Sequence, residues 1–130
     1  MNSLTLIKNA KHVYLIGNGG SYANAVHICN DLLAKGIKAY TLDPATLTAS
    51  ANDYGYESVF ERWIKVVGEP QDVLIALSGS GKSSNILKAV QTAEKIGMNV
   101  IKLFGAERGQ DMQKAEEFQI VWGHDIWYCL

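Results

Sequence analysis

The stretch DVLIALSGSGKSSNILKAVQTAEKIG, residues 72–97, joins an apolar run to a turn rich in glycine and serine and then to a helical repeat. The predicted strand spans 72–78, and its unbroken aliphatic run over 73–77 is typical of a strand that is buried on both faces of a parallel sheet. The apolar residues that follow recur at intervals of three and four until Gly97 provides a helix stop: Ile86, Leu87, Val90, Ala93 and Ile96. The stretch therefore predicts a strand, a short loop and a helix, which is the repeating unit of α/β folds.

The same alternation of strands and helices extends along the rest of the chain. Helices are predicted from Ser21, as the N-cap residue, to Gly36, and over 57–68, with shorter ones over 46–53 and near 110–115. Short apolar runs predict the remaining strands, over 12–17, 38–43, 99–105 and 117–122. We therefore expect one domain over 1–130, built as a doubly wound parallel sheet of about five strands flanked by helices, as in flavodoxin-like and Rossmann-like folds.

The composition excludes several classes of protein. With 48% hydrophobic and 19% charged residues among 130, the chain has the balance of a globular domain, and no run of 18 apolar residues predicts a membrane span. A net charge of -1 gives no case for direct nucleic-acid binding. Cys29 and Cys129 lack metal-ligand spacing, which favours reduced structural thiols. Without a signal sequence, we expect a cytoplasmic location.

Two loops, GNGGS at 17–21 and SGSGKSS at 78–84, fall between a strand and a helix at the same edge of the predicted sheet. Glycines there allow the backbone to approach a ligand, and the N–H groups of the following helix attract an anion. Either loop alone is also compatible with a tight turn capped by serine. Tyr22 at the third fingerprint position disfavours a dinucleotide site, although Asp43 at the end of the second predicted strand leaves that hypothesis possible. A P-loop is disfavoured because Ala76 stands where its first glycine should be.

The motifs GNGGS, SANDYG and SGSGKSSNILKAVQTAEKIGMNVIKLFG, with their spacing, resemble the sugar isomerase (SIS) domain family over about residues 10–121. The similarity is greatest to its phosphoheptose isomerase branch. In that family the serine loop binds the sugar phosphate, so the resemblance implies phosphate contacts from Ser78, Ser80 and Ser83. Gly79 stands where relatives often have threonine.

The resemblance also implies contacts to the hydroxyls of an open-chain sugar. Asn18 and Ser21, with Gly19 and Gly20 of the same motif, correspond to one group of such contacts. Asp53, next to Asn52 in NDYG, corresponds to another, and amide and carboxylate groups suit the recognition of hydroxyls. The residues of NDYG are also typical of a simple turn.

His27 and Asp31 are four residues apart on the predicted first long helix, so their side chains share one face. They align with a histidine and a glutamate of the phosphoheptose isomerase helix, where the glutamate is a catalytic acid/base and the pair can join a zinc site. The aspartate here is one methylene shorter. The alternative is a partly buried helical histidine beside a solvated aspartate.

Relatives continue beyond the last strand with a helix that carries a glutamine and an acid/base histidine, whereas this sequence ends in VWGHDIWYCL. We therefore expect the chain to lack that helix. Asp125 resembles a substrate-contacting aspartate, and His124 precedes it. The apolar side chains of the tail, together with the family's habit of forming dimers or tetramers, predict a homodimer or homotetramer.

Two hypotheses on function follow from the resemblance. The first is an aldose–ketose isomerase of the phosphoheptose isomerase type, which converts sedoheptulose 7-phosphate to a glycero-manno-heptose 7-phosphate through an enediol. The second is a non-catalytic module that binds a phosphosugar and has a regulatory or scaffold role, such as binding a replication initiator. The absent carboxyl-terminal acid/base favours the second.

Overall fold

The computed structural model describes residues 2–105 and Lys114. Its sheet contains four parallel strands in the order β2-β1-β3-β4, with Val13 opposite Ala39 and Val73, and Val73 opposite Asn99. The strands are β1 (Val13–Ile16), β2 (Ala39–Thr41), β3 (Val73–Ser78) and β4 (Asn99–Phe104). The doubly wound parallel fold is confirmed, with four described strands instead of the expected five, because the run over 117–122 lies outside the described residues.

Five α-helices connect or precede these strands within the described part of the chain. They are α1 (Ser3–Lys8), α2 (Gly20–Ala34), α3 (Pro44–Tyr54), α4 (Val59–Val67) and α5 (Ser84–Ile96), with a 3-10 turn over Tyr56–Ser58 before α4. None of them is long and apolar enough to cross a membrane.

The beginning of α3 corrects two boundaries. A strand over 38–43 and a helix over 46–53 were expected, but β2 ends at Thr41 and α3 begins at Pro44. The cause is Asp43, whose Oδ2 accepts hydrogen bonds from Ala45 N (3.0 Å) and Thr46 N (3.2 Å). An aspartate cap followed by proline at the first helical position is a strong helix start.

Side chains from alternate positions of the strands enter two separate cores. Odd-numbered residues such as Leu15 and Ile75 pack with α1 and α2, and even-numbered ones such as Ile16 and Leu74 pack with α4 and α5. Strands that are buried on both faces read as continuous apolar runs, which is why the sequence predicted β3 well.

The order of the strands reverses between β1 and β3, since the chain proceeds from β1 to β2 on one side and from β3 to β4 on the other. In open α/β sheets, ligands bind beyond the carboxyl ends of the strands at such a switch point. The two loops rich in glycine and serine follow β1 and β3, so the fold places both of them at this point.

Candidate functional site

The serine loop, defined as residues 78–83, connects β3 to α5 and folds back on itself. Ser78 Oγ donates to Ser83 Oγ at 3.2 Å and also accepts from Gly81 N at 3.1 Å, while Ser80 Oγ accepts from Lys82 N. Ser83 is the residue before the first turn of α5, where helical N–H groups lack intrahelical acceptors. Hydroxyls and a helix N-terminus thus gather in one loop, which is an arrangement suited to an anion.

Gly81 allows this loop to close. Its φ is +69°, and a Cβ there would lie 2.9 Å from the backbone oxygen of Gly105, which follows β4. Gly79 lies between Ser78 and Ser80 and is partly exposed. Lys82, which we did not include among the candidate residues, is exposed and brings a positive charge to the loop.

Asn18 joins the first loop to the second through a reciprocal pair of amides. Asn18 Nδ2 donates to Asn85 Oδ1, and Asn85 Nδ2 donates to Asn18 Oδ1, each at 2.9 Å. Asn85 is in the first turn of α5 and is only 4% exposed. The pair therefore fixes the loop after β1 relative to the beginning of α5.

Tyr56 completes this network, since its hydroxyl donates to Asn18 Oδ1 at 2.6 Å. Neither Asn85 nor Tyr56 was predicted as a site residue. The only signal in the sequence was the position of Asn85 directly after SGSGKSS, at the start of a helix.

The remaining residues of GNGGS form the entrance to α2. Ser21 was predicted as the N-cap of this helix, which is wrong: α2 begins at Gly20, and the cap is Gly19, with φ of +57°. The Ser21 N–H donates to Asn18 O at 2.9 Å, and the helix begins two residues earlier than expected.

Asn52 and Asp53 lie in the last turn of α3 and are exposed. Asn52 Nδ2 donates to Asp53 Oδ1 at 3.2 Å. These residues are therefore helical, and the simple turn considered for NDYG begins only at Gly55. It is Tyr56, three residues after Asp53, that contacts Asn18.

His27 and Asp31 lie on the same face of α2, as their spacing predicted. His27 Nε2 is 3.8 Å from Asp31 Oδ2, and the side chains are 64% and 51% exposed. This exposure contradicts the alternative of a partly buried histidine. Within the described residues, no third histidine, cysteine or carboxylate comes within ligating range of this pair.

The dinucleotide alternative loses its remaining support in the structure. Asp43, which kept it open, is the cap of α3. Tyr22 fills the position of the third fingerprint glycine, and its hydroxyl donates to Leu42 O at 2.6 Å. Burial raises the pKa of this phenol above its ordinary value.

An ion pair connects the 3-10 turn to α5. Lys88 Nζ lies 2.9 Å from Glu57 Oε2, and the hydrogen bond and charge of Lys88 lower the pKa of this carboxyl. Both groups are at the surface, where such a pair adds little to stability.

A group able to bind a metal lies at the other end of the sheet. Ligand atoms of His12, Glu69 and Asp72 are all within 4.8 Å of one another. The expected zinc residues His27 and Asp31 are not part of this group. Asp125, His124 and Cys129 lie outside the described residues.

Comparison with known proteins assigns the region that contains both loops to a family. The SIS domain family matches residues 2–105, which include both loops, Asn85 and the amide pair. The chain belongs to the SIS domain family.

Similar proteins include phosphoheptose isomerases. The curated "Phosphoheptose isomerase" of Helicobacter pylori strain P12 is 41% identical over 112 residues, and that of Leptospira biflexa strain Patoc 1 / Ames is 44% identical over 114. Each alignment covers 80% of this chain and 58% of the relative, so the chain spans less than two thirds of their length. The solved structure of phosphoheptose isomerase GmhA from Neisseria gonorrhoeae is 30% identical, with a TM-score of 0.78 over 97% of this chain and 79% of that one.

Proposed function

We propose that this SIS domain binds a phosphorylated sugar and isomerises it in the manner of phosphoheptose isomerases, converting sedoheptulose 7-phosphate to a glycero-manno-heptose 7-phosphate. The observation that carries the proposal is the serine loop at the switch point, connected through Asn85 to Asn18 of the neighbouring loop. The similarity to proteins named phosphoheptose isomerase supports the choice of substrate.

The serine loop binds the phosphate in this proposal. Ser78, Ser80 and Ser83 donate hydroxyl hydrogens to phosphate oxygens. For Ser78 this bond replaces the one that it now donates to Ser83, whereas Ser80 accepts from Lys82 N and can keep that bond. The first N–H groups of α5 add donors that carry no charge but point in the direction that favours an anion. The phosphate thus fixes one end of the substrate.

The first loop faces the open-chain sugar. Asn18 is held by two partners, so its amide keeps one orientation when a ligand enters. A preorganised amide orients a hydroxyl without having to lose side-chain freedom on binding. Ser21, Asp53 and Asp125 are further proposed contacts to hydroxyls.

Asp31, with His27 beside it, is the proposed acid/base. Its carboxylate takes the proton from the carbon next to the carbonyl, which gives an enediol once the carbonyl oxygen receives a proton. The same proton then returns to the former carbonyl carbon. The hydroxyl on the carbon that first lost its proton gives up its hydrogen and becomes the new carbonyl. To abstract this proton, the exposed carboxylate of Asp31 must lose its water, which contact with the substrate and with a second copy of the chain would bring about.

The zinc ion implied by the family resemblance fits this pair only in part. His27 and Asp31 supply one nitrogen and one oxygen, while zinc sites use three or four protein ligands. They would hold the ion together with ligands from elsewhere in the chain or from a second copy, and zinc there would polarise the substrate carbonyl.

We also propose that the outer face of α2 packs on a second copy, in a homodimer or homotetramer in the cytoplasm. Val26 and Leu33, seven residues apart on this helix, are 42% and 52% exposed. These two side chains share one face of α2, and their burial against a second copy would bring the neighbouring His27 to a boundary between subunits.

The test is turnover of sedoheptulose 7-phosphate by the purified protein, with and without added zinc. Asp31→Asn should reduce kcat by about 100-fold or more, because a general base typically contributes that much. Asn30→Ala, at the adjacent exposed position of α2, is the control and should retain the activity. An Asp31→Asn variant as active as the parent contradicts the assigned base.

A second candidate function, phosphosugar binding without catalysis, is favoured by one observation. His27 and Asp31 are exposed and lack a third ligating group among the described residues. Thermal stabilisation by sugar phosphates in the absence of any turnover would select this function, and turnover would exclude it.

A further inference from the structure

The amino ends of β1 and β3 lie at the opposite end of the sheet from the serine loop, and chemically active side chains meet there. His12 directly precedes β1, and Asp72 directly precedes β3. A tight turn over 69–72, closed by Asp72 N donating to Glu69 O at 3.1 Å, brings Glu69 to the same place. Pro70 and a positive φ of +75° at Gln71 are the features of a type II turn.

Asp72 is a fully buried carboxylate at the centre of this cluster. One oxygen, Oδ1, accepts from His12 N at 3.0 Å, and the other, Oδ2, accepts from Glu69 N at 2.9 Å. Each oxygen has a second lone pair beyond the one used for its N–H partner. Buried charges in proteins are paired or coordinate metals.

The imidazole of His12 lies against this carboxylate without forming a hydrogen bond. Its Nδ1 is 3.3 Å from Asp72 Oδ1, yet it is buried and has no hydrogen-bond partner. A cation bound between this nitrogen and the carboxylate oxygen would give both atoms a partner. An unsatisfied buried atom of this kind is often explained by an ion or water.

The spacing of the two atoms fits two ligands of one ion. With metal–ligand bonds of about 2.0–2.1 Å, two corners of a tetrahedron are separated by about 3.3–3.4 Å. Glu69 supplies the third atom, within 4.8 Å of the other two, and its side chain is 55% exposed, which leaves a route for a cation.

We propose that His12, Glu69 and Asp72 form a binding site for a divalent transition-metal ion of the zinc type. An imidazole nitrogen with two carboxylates favours such an ion over magnesium or calcium, which prefer oxygen ligands alone. Three protein ligands leave a fourth position for water. Lys11, whose Nζ is 3.0 Å from Glu69 Oε2, is the cation that competes for this carboxylate.

The ion has a structural role in this proposal. It connects the residue before β1 to the turn before β3, two segments that Asp72 already joins through backbone N–H groups. A metal that binds only the folded chain stabilises it in proportion to its concentration and affinity. The site does not depend on the proposed isomerase activity.

The experiment titrates zinc into a His27→Gln/Asp31→Asn background, which removes the other candidate ligands. Isothermal titration calorimetry gives the affinity and stoichiometry, and cobalt absorption reports coordination directly. We expect one zinc ion per chain in this background. Glu69→Gln and His12→Gln should each weaken binding by about tenfold or more, since even the loss of groups behind the ligands costs that much.

Lys11→Met is the matched control for Glu69→Gln. Both substitutions remove the ion pair between Lys11 and Glu69, but only the second removes a metal ligand. Lys11→Met should bind zinc at least as tightly as the background. The proposal is overturned if the background binds no zinc, if Glu69→Gln and His12→Gln bind it unchanged, or if Lys11→Met weakens binding as much as Glu69→Gln.

Discussion

The two loops at the switch point resemble each other in sequence but differ in what they do with their polar groups. In the first loop, residues 17–21, the backbone is packed tightly against α2, and Asn18 is held by Asn85 and Tyr56. In the serine loop, residues 78–83, the hydroxyls bond to one another and to backbone N–H groups of the same loop.

The difference teaches that a loop rich in glycine and serine is not by itself a phosphate cradle. In the first loop, Gly17 allows close packing against α2, and Gly19 supplies the positive φ before it. The side chain of Asn18 in this loop connects parts of the fold and is not available to surround an anion. The serine loop holds several donors that a ligand can take over without breaking contacts to the rest of the fold. Four substitutions test this contrast.

Gly17→Ala should cause the greatest loss of stability. A Cβ at this position would lie 2.7 Å from the backbone carbon and oxygen of Ser21 and 2.9 Å from Tyr22 N, and these backbone atoms can move only if α2 moves. We expect urea denaturation to show a loss of about 3 kcal/mol or more. Gly36→Ala, where φ is +78° but the space is open, should cost only about 1 kcal/mol. Equal losses at both positions would show that the close contacts at Gly17 relax and that packing does not set the requirement there.

Ser83→Ala tests the serine loop as the anion site. Its hydroxyl contacts Ser78 within the loop, and a hydrogen bond to a charged group is worth about 1.5–3 kcal/mol, so sugar-phosphate affinity should fall about 10–100-fold. Calorimetric titration with the sugar phosphate measures this change. The control is Ser84→Ala, since the neighbouring Ser84 is engaged with the carboxyl of Glu57. A loss at Ser84 as large as at Ser83 would place the anion elsewhere on α5.

Asn85→Ala should uncouple the two loops. It removes both bonds of the amide pair and leaves Asn18 with Tyr56 alone, which should cost about 1–3 kcal/mol of unfolding free energy. A double-mutant cycle with Asn18→Ala should give a coupling energy of about 1 kcal/mol. Tyr56→Phe, which removes one bond at the surface, should cost less than Asn85→Ala. Additive losses in the cycle would mean that the two amides do not depend on each other.

The order of strands and helices along the chain could be predicted because it depends on local patterns of apolar residues. The residues of β3 are apolar on both faces of the sheet, and the apolar residues of α5 recur at helical spacing. The start of α3 was predicted two residues too late because Asp43 was assigned to the end of the preceding strand. The pair Asp43-Pro44 is itself a recognisable signal for the start of a helix.

The partners within the site could not be predicted in this way. Asn18 and Asn85 are 67 residues apart, and Asn18 and Tyr56 are 38 apart. Only the strand order brings them together, and no periodicity in the sequence encodes which polar side chains will meet. The same holds for His12 and Asp72, which are 60 residues apart.

Tyr22→Phe gives the smallest effect and the clearest pH signature. It removes the hydrogen bond to Leu42 O, by which the helix after the first loop is tied to the end of β2, at a cost of about 1 kcal/mol. Because burial raises the pKa of Tyr22 in the folded chain, the stabilisation is complete below the ordinary value of 10.0 and is lost as the pH rises above it. Urea denaturation between pH 8 and about 11 should therefore show a smaller loss of stability at alkaline pH in Tyr22→Phe than in the parent.

Tyr14, whose pKa is raised by burial as well, maintains part of that loss in both proteins. Tyr54→Phe, at a side chain that is 60% exposed, is the control and should leave the profile of the parent unchanged. An alkaline profile of Tyr22→Phe that coincides with the parent's would mean that folding does not raise the pKa of this phenol.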